Sequence, residues 1–268
     1  MTNETNLFLL QSGWLYVGLS LAVFIVFFFS RLFGVRVRRK INKETLEVSN
    51  IFISSIFGFF AILIAFQLSG STRIYENQRK TTIDEILSIS SVIDTTQSLN
   101  PEDRPHVLKL LTEYLELRDK LYERPIKVSE LEFRGRELKQ AGLNLERHAF
   151  VLLPKYEGDE RLKLNTFLTR AQHMKAIFDQ QHASIFMKTP NILWQALVVL
   201  LIIISGVCGY KTGIENGQQF GLTVLFLIVV LAAIIICLNL GNPRLSAVRL
   251  DFIDLQFPKL LRDIESLR

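Results

Sequence analysis

The sequence predicts an all-α membrane protein, with four transmembrane helices and a helical domain inserted between the second and third. Three observations predict it. Four apolar runs are each long enough to cross a hydrocarbon core of about 30 Å as a helix. The polar stretch between the second and third runs carries apolar residues at helical spacing. Strand signals are nearly absent from that stretch.

The first span is read at about 13–33, with Trp14 and Tyr16 at one end and Arg31 at the other. Amphipathic aromatics anchor at the interface, and the basic cluster Arg36, Arg38, Arg39, Lys40 and Lys43 follows the span. A short loop leads to the second span, about 50–69, which makes a helical hairpin. This span continues without proline into a charged amphipathic segment ending near Leu99.

Asn100-Pro101-Glu102-Asp103 reads as a fresh helix start, with Asn as N-cap and Pro in the first position. Val107, Leu110, Leu111, Tyr114, Leu117 and Leu121 form the stripe of that helix, and Pro125 ends it. A further helix from near Ser129 carries Leu138, Ala141, Leu145, Ala149 and Leu152, and stops before Pro154. Gly158 restarts the chain, and Leu164, Phe167, Leu168, Ala171, Met174 and Phe178 line the next helix. Each helix has one apolar face, so together they can bury a bundle core.

The third span, about 191–210, opens after Thr189-Pro190. The short loop after it forces an antiparallel pairing with the fourth, about 220–240. Gly206 and Gly209 read as marks of close packing or of the span's end. In the tail, Val248, Leu250 and Phe252 alternate as a weak strand signal. Pro258 to Arg268 reads as a short amphipathic helix. The organisation is therefore a transmembrane hairpin over 1–70, a helical domain over 71–188, a second hairpin over 189–241 and an amphipathic tail over 242–268.

Composition narrows the function. The 49% apolar content is concentrated in the spans and does not mark a large soluble core. The net charge of +5 is modest, and its basic cluster beside a span speaks for topology and lipid headgroups, not nucleic acid. Cys208 and Cys237 lie in apolar runs and read as small buried hydrophobes. The N-terminal run is too long for a signal-peptide core and reads as a retained span. His106, His148, His173 and His182 share no metal-ligand spacing, and the carboxylates are dispersed over helix surfaces. No phosphate-binding loop or nucleophile elbow appears, so no enzyme, cofactor or metal is expected.

The sharpest feature is on the second span. At 100° per residue, Glu47, Asn50, Ser54, Gly58, Ala61, Ala65, Ser69, Thr72 and Glu76 fall on one narrow stripe. The bulky Phe57, Phe59, Phe60, Ile62, Leu63, Ile64 and Phe66 occupy the other faces. Two readings stay open for Ser54, Gly58, Ala61, Ala65 and Ser69. Small residues let membrane helices pack closely, or they line a pore. Glu47, Arg73, Glu76 and Arg79 would be charges at its mouths. Gln67 lies off the stripe, placed to reach the interface or bond a neighbour.

Three segments carry a resemblance. They are Gly58-FFAILIAFQLSGSTRIYENQRKTTIDEILSISSVI, Thr189-Pro190-Asn191-Ile192-Leu193-Trp194, and Asn242-Pro243-Arg244-Leu245 with the tail behind it. In these and in its layout the chain resembles the bestrophin-like domain proteins, a membrane family found mostly in bacteria. The family pattern implies an acidic and a basic residue just before that proline; here Gly241 and Asn242 stand there. The resemblance implies a distant likeness to bestrophins, which are oligomeric anion channels with four spans and a helical domain between spans two and three.

The expected function is thus an oligomeric ion channel or pore with a bias toward anions. The alternative is a non-conducting membrane-anchored helical scaffold or sensor. The expected partners are the lipid bilayer, further copies of the chain and small inorganic ions, in a plasma or bacterial inner membrane. The basic first loop and the base-free N-terminal tail put the N-terminus and the helical domain outside by the positive-inside rule, which is the expected orientation, although the bestrophin likeness implies the reverse.

Overall fold

The computed structural model describes residues 13–39, 49–122, 128–186, 191–215, 219–241 and 251–267. The helical spacing of apolar residues becomes helices α1 (Trp14–Arg38), α2 (Ser49–Thr96), α3 (Arg104–Lys120), α4 (Val128–Leu152), α5 (Gly158–Phe186), α6 (Asn191–Ile214), α7 (Phe220–Leu240), α8 (Asp251–Asp254) and α9 (Phe257–Glu265). Among the described residues there is no strand. The strand signal of the tail fails: Phe252 is in α8, and Val248 and Leu250 lie outside the described residues. Helices α1, α2, α6 and α7 are long and apolar enough to cross a membrane.

The chain forms two compact units. One comprises Phe8–Tyr75 and Lys188–Asn242, and the other includes Glu76–Met187 and Pro243–Arg268. Helix α2 is continuous through the boundary, so its 48 residues extend for about 70 Å.

In the membrane-spanning unit, α1 and α6 run parallel with their backbones in contact. A Cβ added at Gly209 would stand 2.2 Å from the carbonyl oxygen of Phe27, and one at Gly213 would stand 2.4 Å from that of Arg31. From the other side, a Cβ at Gly34 would meet the Tyr210 carbonyl oxygen at 2.4 Å. With Ser205 these residues form a small-xxx-small seam along α6. Ser205 Oγ donates to Val23 O and Ser30 Oγ donates to Gly206 O, both at 2.6 Å. Val23, Phe27, Phe60, Leu201, Ile204, Leu227 and Ile234 fill the core. Phe57 meets Phe226 edge-on at 5.3 Å, which ties α2 to α7. Tyr16 and Asn239 satisfy each other: the phenol donates to Asn239 Oδ1 at 3.2 Å, and Asn239 Nδ2 donates to Ile235 O.

In the other unit, α3, α4, α5 and the second half of α2 bury the apolar stripes read from the sequence, and α9 adds Phe257, Leu260 and Ile264. Helix α3 begins at Arg104, later than the Asn100 start read from the sequence. Asn100 Oδ1 instead accepts the Glu102 N–H at 3.2 Å in a local turn. Pro105 occupies the first turn of α3, where its missing N–H costs nothing. Arg104 Nη2 donates to Gln97 O and Leu99 O beyond the end of α2. Helix α3 already ends at Lys120, and Pro125 lies outside the described residues. Gly158 opens α5 at φ +58, in the left-handed region that favours glycine.

A buried ion pair sits inside this core. Arg118 Nε and Nη2 donate to the two Glu85 oxygens at 2.6 and 2.7 Å, and both side chains are at most 1% exposed. Gln181 extends the network. Its Oε1 accepts from Arg118 at 3.4 Å, and its Nε2 donates to Thr82 Oγ1 at 2.7 Å. The guanidinium also stacks 4.2 Å from the Phe257 ring centroid and 5.1 Å from that of Tyr122. Burial works to lower the Arg118 pKa, but the Glu85 charge and hydrogen bonds outweigh it and hold the pKa above its ordinary value. Burial, and then the Glu85 charge, push the neighbouring Tyr114 phenol well above its usual range.

Gly209→Leu should lower stability by on the order of 3 kcal/mol, because its first side-chain atom meets backbone. Gly58→Ala, where an added Cβ meets nothing within 4 Å, should not destabilise the protein and should raise the melting temperature in detergent slightly, by a helix-propensity gain of about 1 kcal/mol. Arg118→Met alone strands a buried carboxylate and should cost about 3–5 kcal/mol. The double variant Glu85→Met/Arg118→Met should recover most of that loss in the same melting assay.

Candidate functional site

The stripe of α2 is a backbone property first. Its residues are spaced by three or four, so one face of an unbroken helix carries them all. Ser54, Gly58, Ala61, Ala65 and Ser69 are all exposed in the single chain. The opposite side of the helix carries Phe60, Gln67 and Ser71, which are buried. No helix of the chain's own membrane-spanning unit therefore covers the stripe among the described residues. Gly58 sharpens the point. Glycine inside a helix costs about 1 kcal/mol relative to alanine, yet no neighbour within the chain needs the space.

Beside the stripe, Phe59, Ile62 and Phe66 are 57%, 56% and 74% exposed. Large apolar side chains suit contact with lipid tails, whereas the stripe offers little apolar surface. The exposed side of α2 thus has two chemically different faces.

The charges expected at the mouths do not behave alike. Glu47 lies outside the described residues. Arg73 is exposed. Glu76 and Arg79 face each other one turn apart at 3.9 Å with side chains more than half exposed, a pair worth little in water.

Gln67 does not reach the interface. It is 4% exposed, and its Nε2 has no hydrogen-bond partner among the described residues; Ser71 Oγ, one turn on, is in the same state. The reason is geometric, since both fall on the face that α2 turns into its own bundle. Their spacing, i and i+4 on an otherwise apolar helix, is the signal that could have marked them.

Elsewhere the fold brings together residues that the sequence keeps apart. The His106 and His148 rings lie 4.3 Å apart. Burial, and then the neighbouring His106, push the His148 pKa down. Tyr156 donates to Asp103, and Lys175 pairs with Glu146. Among the described residues no three His, Cys, Asp or Glu side chains converge as a metal site would require. A 900 Å³ groove between α2 and α5 has a mixed lining that includes Lys80, Asp84, Leu87, His173 and Ile177.

No protein-family model and no curated protein matches the chain. Solved structures do. A bacterial bestrophin homolog from Klebsiella pneumoniae, solved by zinc phasing, superposes with a TM-score of 0.69 at 10% identity, over 91% of this chain and 97% of its own. A variant of that homolog gives 0.70 at 10% identity, over 92% and 97%. A structure described only as a membrane protein gives 0.70 at 10% identity, over 92% and 98%. Over about nine-tenths of the chain the fold resembles that of the bestrophin homologs, a likeness of fold alone.

Proposed function

We propose that the protein is a homo-oligomeric pore for small inorganic ions, with the α2 stripe of each copy facing a shared path. One observation carries this reading: Ser54, Gly58, Ala61, Ala65 and Ser69 are exposed on the side of α2 opposite the one that its own unit buries. Four spans make too thin a bundle to enclose a path alone, so several copies arranged in a ring would supply the wall. A wall of small uncharged side chains conducts only when hydrated. It gates by dewetting near Ala61 and Ala65 and selects weakly by size. Exposed Arg73 would favour anions electrostatically. The fold of the bestrophin homologs supports the reading.

A background with Cys208→Ala and Cys237→Ala tests it. Ala61→Cys and Ala65→Cys should react with water-soluble thiol reagents in liposomes, and modification should change ion flux. Ala61→Trp should block flux while mass photometry still finds the oligomer. If both thiols stay unreactive and the Trp variant falls to monomers, the stripe is a packing seam. The non-conducting scaffold then replaces the pore.

Orientation belongs to the same proposal. Arg36, Arg38, Arg39, Lys40, Lys43 and Lys211 flank the spans in the two short loops. Arg73, Arg79, Lys80, Lys188, Arg244 and Arg249 match them near the span ends facing the helical domain. Arg31, near the end of the first span, adds a seventh base on the loop side against six, so the bias from the loops is slight. With so slight a bias, the likeness to bestrophins supports a cytoplasmic helical domain, the reverse of the expected orientation. A reporter fused after Arg268 should give a cytoplasmic-type signal; a clear signal from the other side overturns this orientation.

A further inference from the structure

One end of the membrane-spanning unit holds a cation without a counter-charge among the described residues. Arg31 lies within α1, in sequence between Phe28, Phe29, Leu32 and Phe33, which are all exposed as lipid-facing side chains are. Its guanidinium carbon stands 4.6 Å from the Phe220 ring centroid. Its Nε is buried and has no hydrogen-bond partner among the described residues. A partly buried guanidinium at the edge of an apolar layer is held in place by an anion or by hydrogen bonds, and the ring face supplies neither.

Among the described residues the neighbouring elements do not supply the anion. Helix α1 adds Arg36, Arg38 and Arg39 beyond Arg31, all exposed. Arg38 is two turns on along the same face as Arg31. Helix α6 adds Lys211, which pairs with Glu215 at 3.7 Å. Glu215 is the only acid among the described residues of this unit, and it is already engaged. Helix α7 begins at Phe220, so the end it brings there is the positive end of its dipole.

We propose that Arg31, backed by the Phe220 ring, binds the phosphate of one anionic phospholipid headgroup, with Arg38 as a second cation toward the water. The flanking exposed phenylalanines and leucine give the acyl chains a surface, which a free phosphate ion would not use. A planar guanidinium donates two hydrogen bonds to one phosphate, and its stack on Phe220 fixes the plane in which it does so. The site is independent of whether the protein conducts.

The test uses the full-length protein in mild detergent, with bound lipid read by native mass spectrometry and the melting temperature recorded in parallel. Phosphatidylglycerol should be retained about tenfold over phosphatidylcholine, whose own choline already neutralises its phosphate, a preference equal to about 1.4 kcal/mol. Glycerol phosphate and inorganic phosphate should not compete with it at equal concentration. R31Q should bring the two lipids to parity, R31K should keep part of the preference, and R36Q should keep all of it. Where R31Q does not fold, Phe220→Leu with R31K replaces it and should also lose most of the preference. Equal retention of both lipids by the native protein overturns the site. So does an intact preference in R31Q or in the R31K/Phe220→Leu pair, because the basic cluster then acts without Arg31. Full competition by glycerol phosphate overturns the lipid and makes the ligand a soluble phosphate.

Discussion

The contact on which the membrane-spanning unit depends is backbone against backbone. Lipid tails are as apolar as the side chains they would replace, so burial alone gives these helices little reason to associate. Close approach has to supply the attraction through dispersion and short polar contacts. Gly209 and Gly213 remove every side-chain atom that would hold α6 away from α1, and Gly34 does the same from the opposite side. Ser205 and Ser30 then add hydrogen bonds across the gap. The two hairpins come from opposite ends of the sequence, and this seam joins them. It leaves one side of α2 buried and the other free, which is the arrangement the candidate site requires.

The other unit solves a different problem. Water drives its helices together, so it can tolerate charge inside. Glu85 and Arg118 are fully enclosed, and the network through Gln181 and Thr82 uses polar groups that would otherwise be left unsatisfied. Such a pair does not add much net stability relative to apolar residues of the same size, but it tolerates only one arrangement. Helices α2, α3 and α5 are thereby fixed in register.

Much of this was legible in the sequence because solvent leaves a local imprint. The lipid-facing runs and the water-facing periodicities each lie within one helix, and a single window shows them. The fourth span and the stripes of α4 and α5 fall where their spacing placed them. Gly209 was legible as a packing mark, though its partner was not. What stayed hidden depends on contacts between distant residues. Nothing near Arg118 names Glu85, and nothing near His106 names His148. Gln67 was misjudged because its neighbours in the span suggested the interface, while the side of the helix it occupies, set by packing, is interior. The stripe of α2 was visible as a pattern. No described residue of the chain covers it, so its packing within the chain gives no further signal.

The place of Phe257 beside Arg118 has a consequence for biosynthesis. The ring that closes over the ion pair belongs to the last helix, and the membrane-crossing helices α6 and α7 are made between the two. During translation the Glu85–Arg118 pair exists before its lid does. The water-facing core is therefore completed only after both membrane-crossing helices have been synthesised. A chain stalled before α9 would present an open, partly hydrated charge pair and an uncovered apolar seat for Phe257, Leu260 and Ile264, which are the features by which quality-control proteases recognise unfinished proteins.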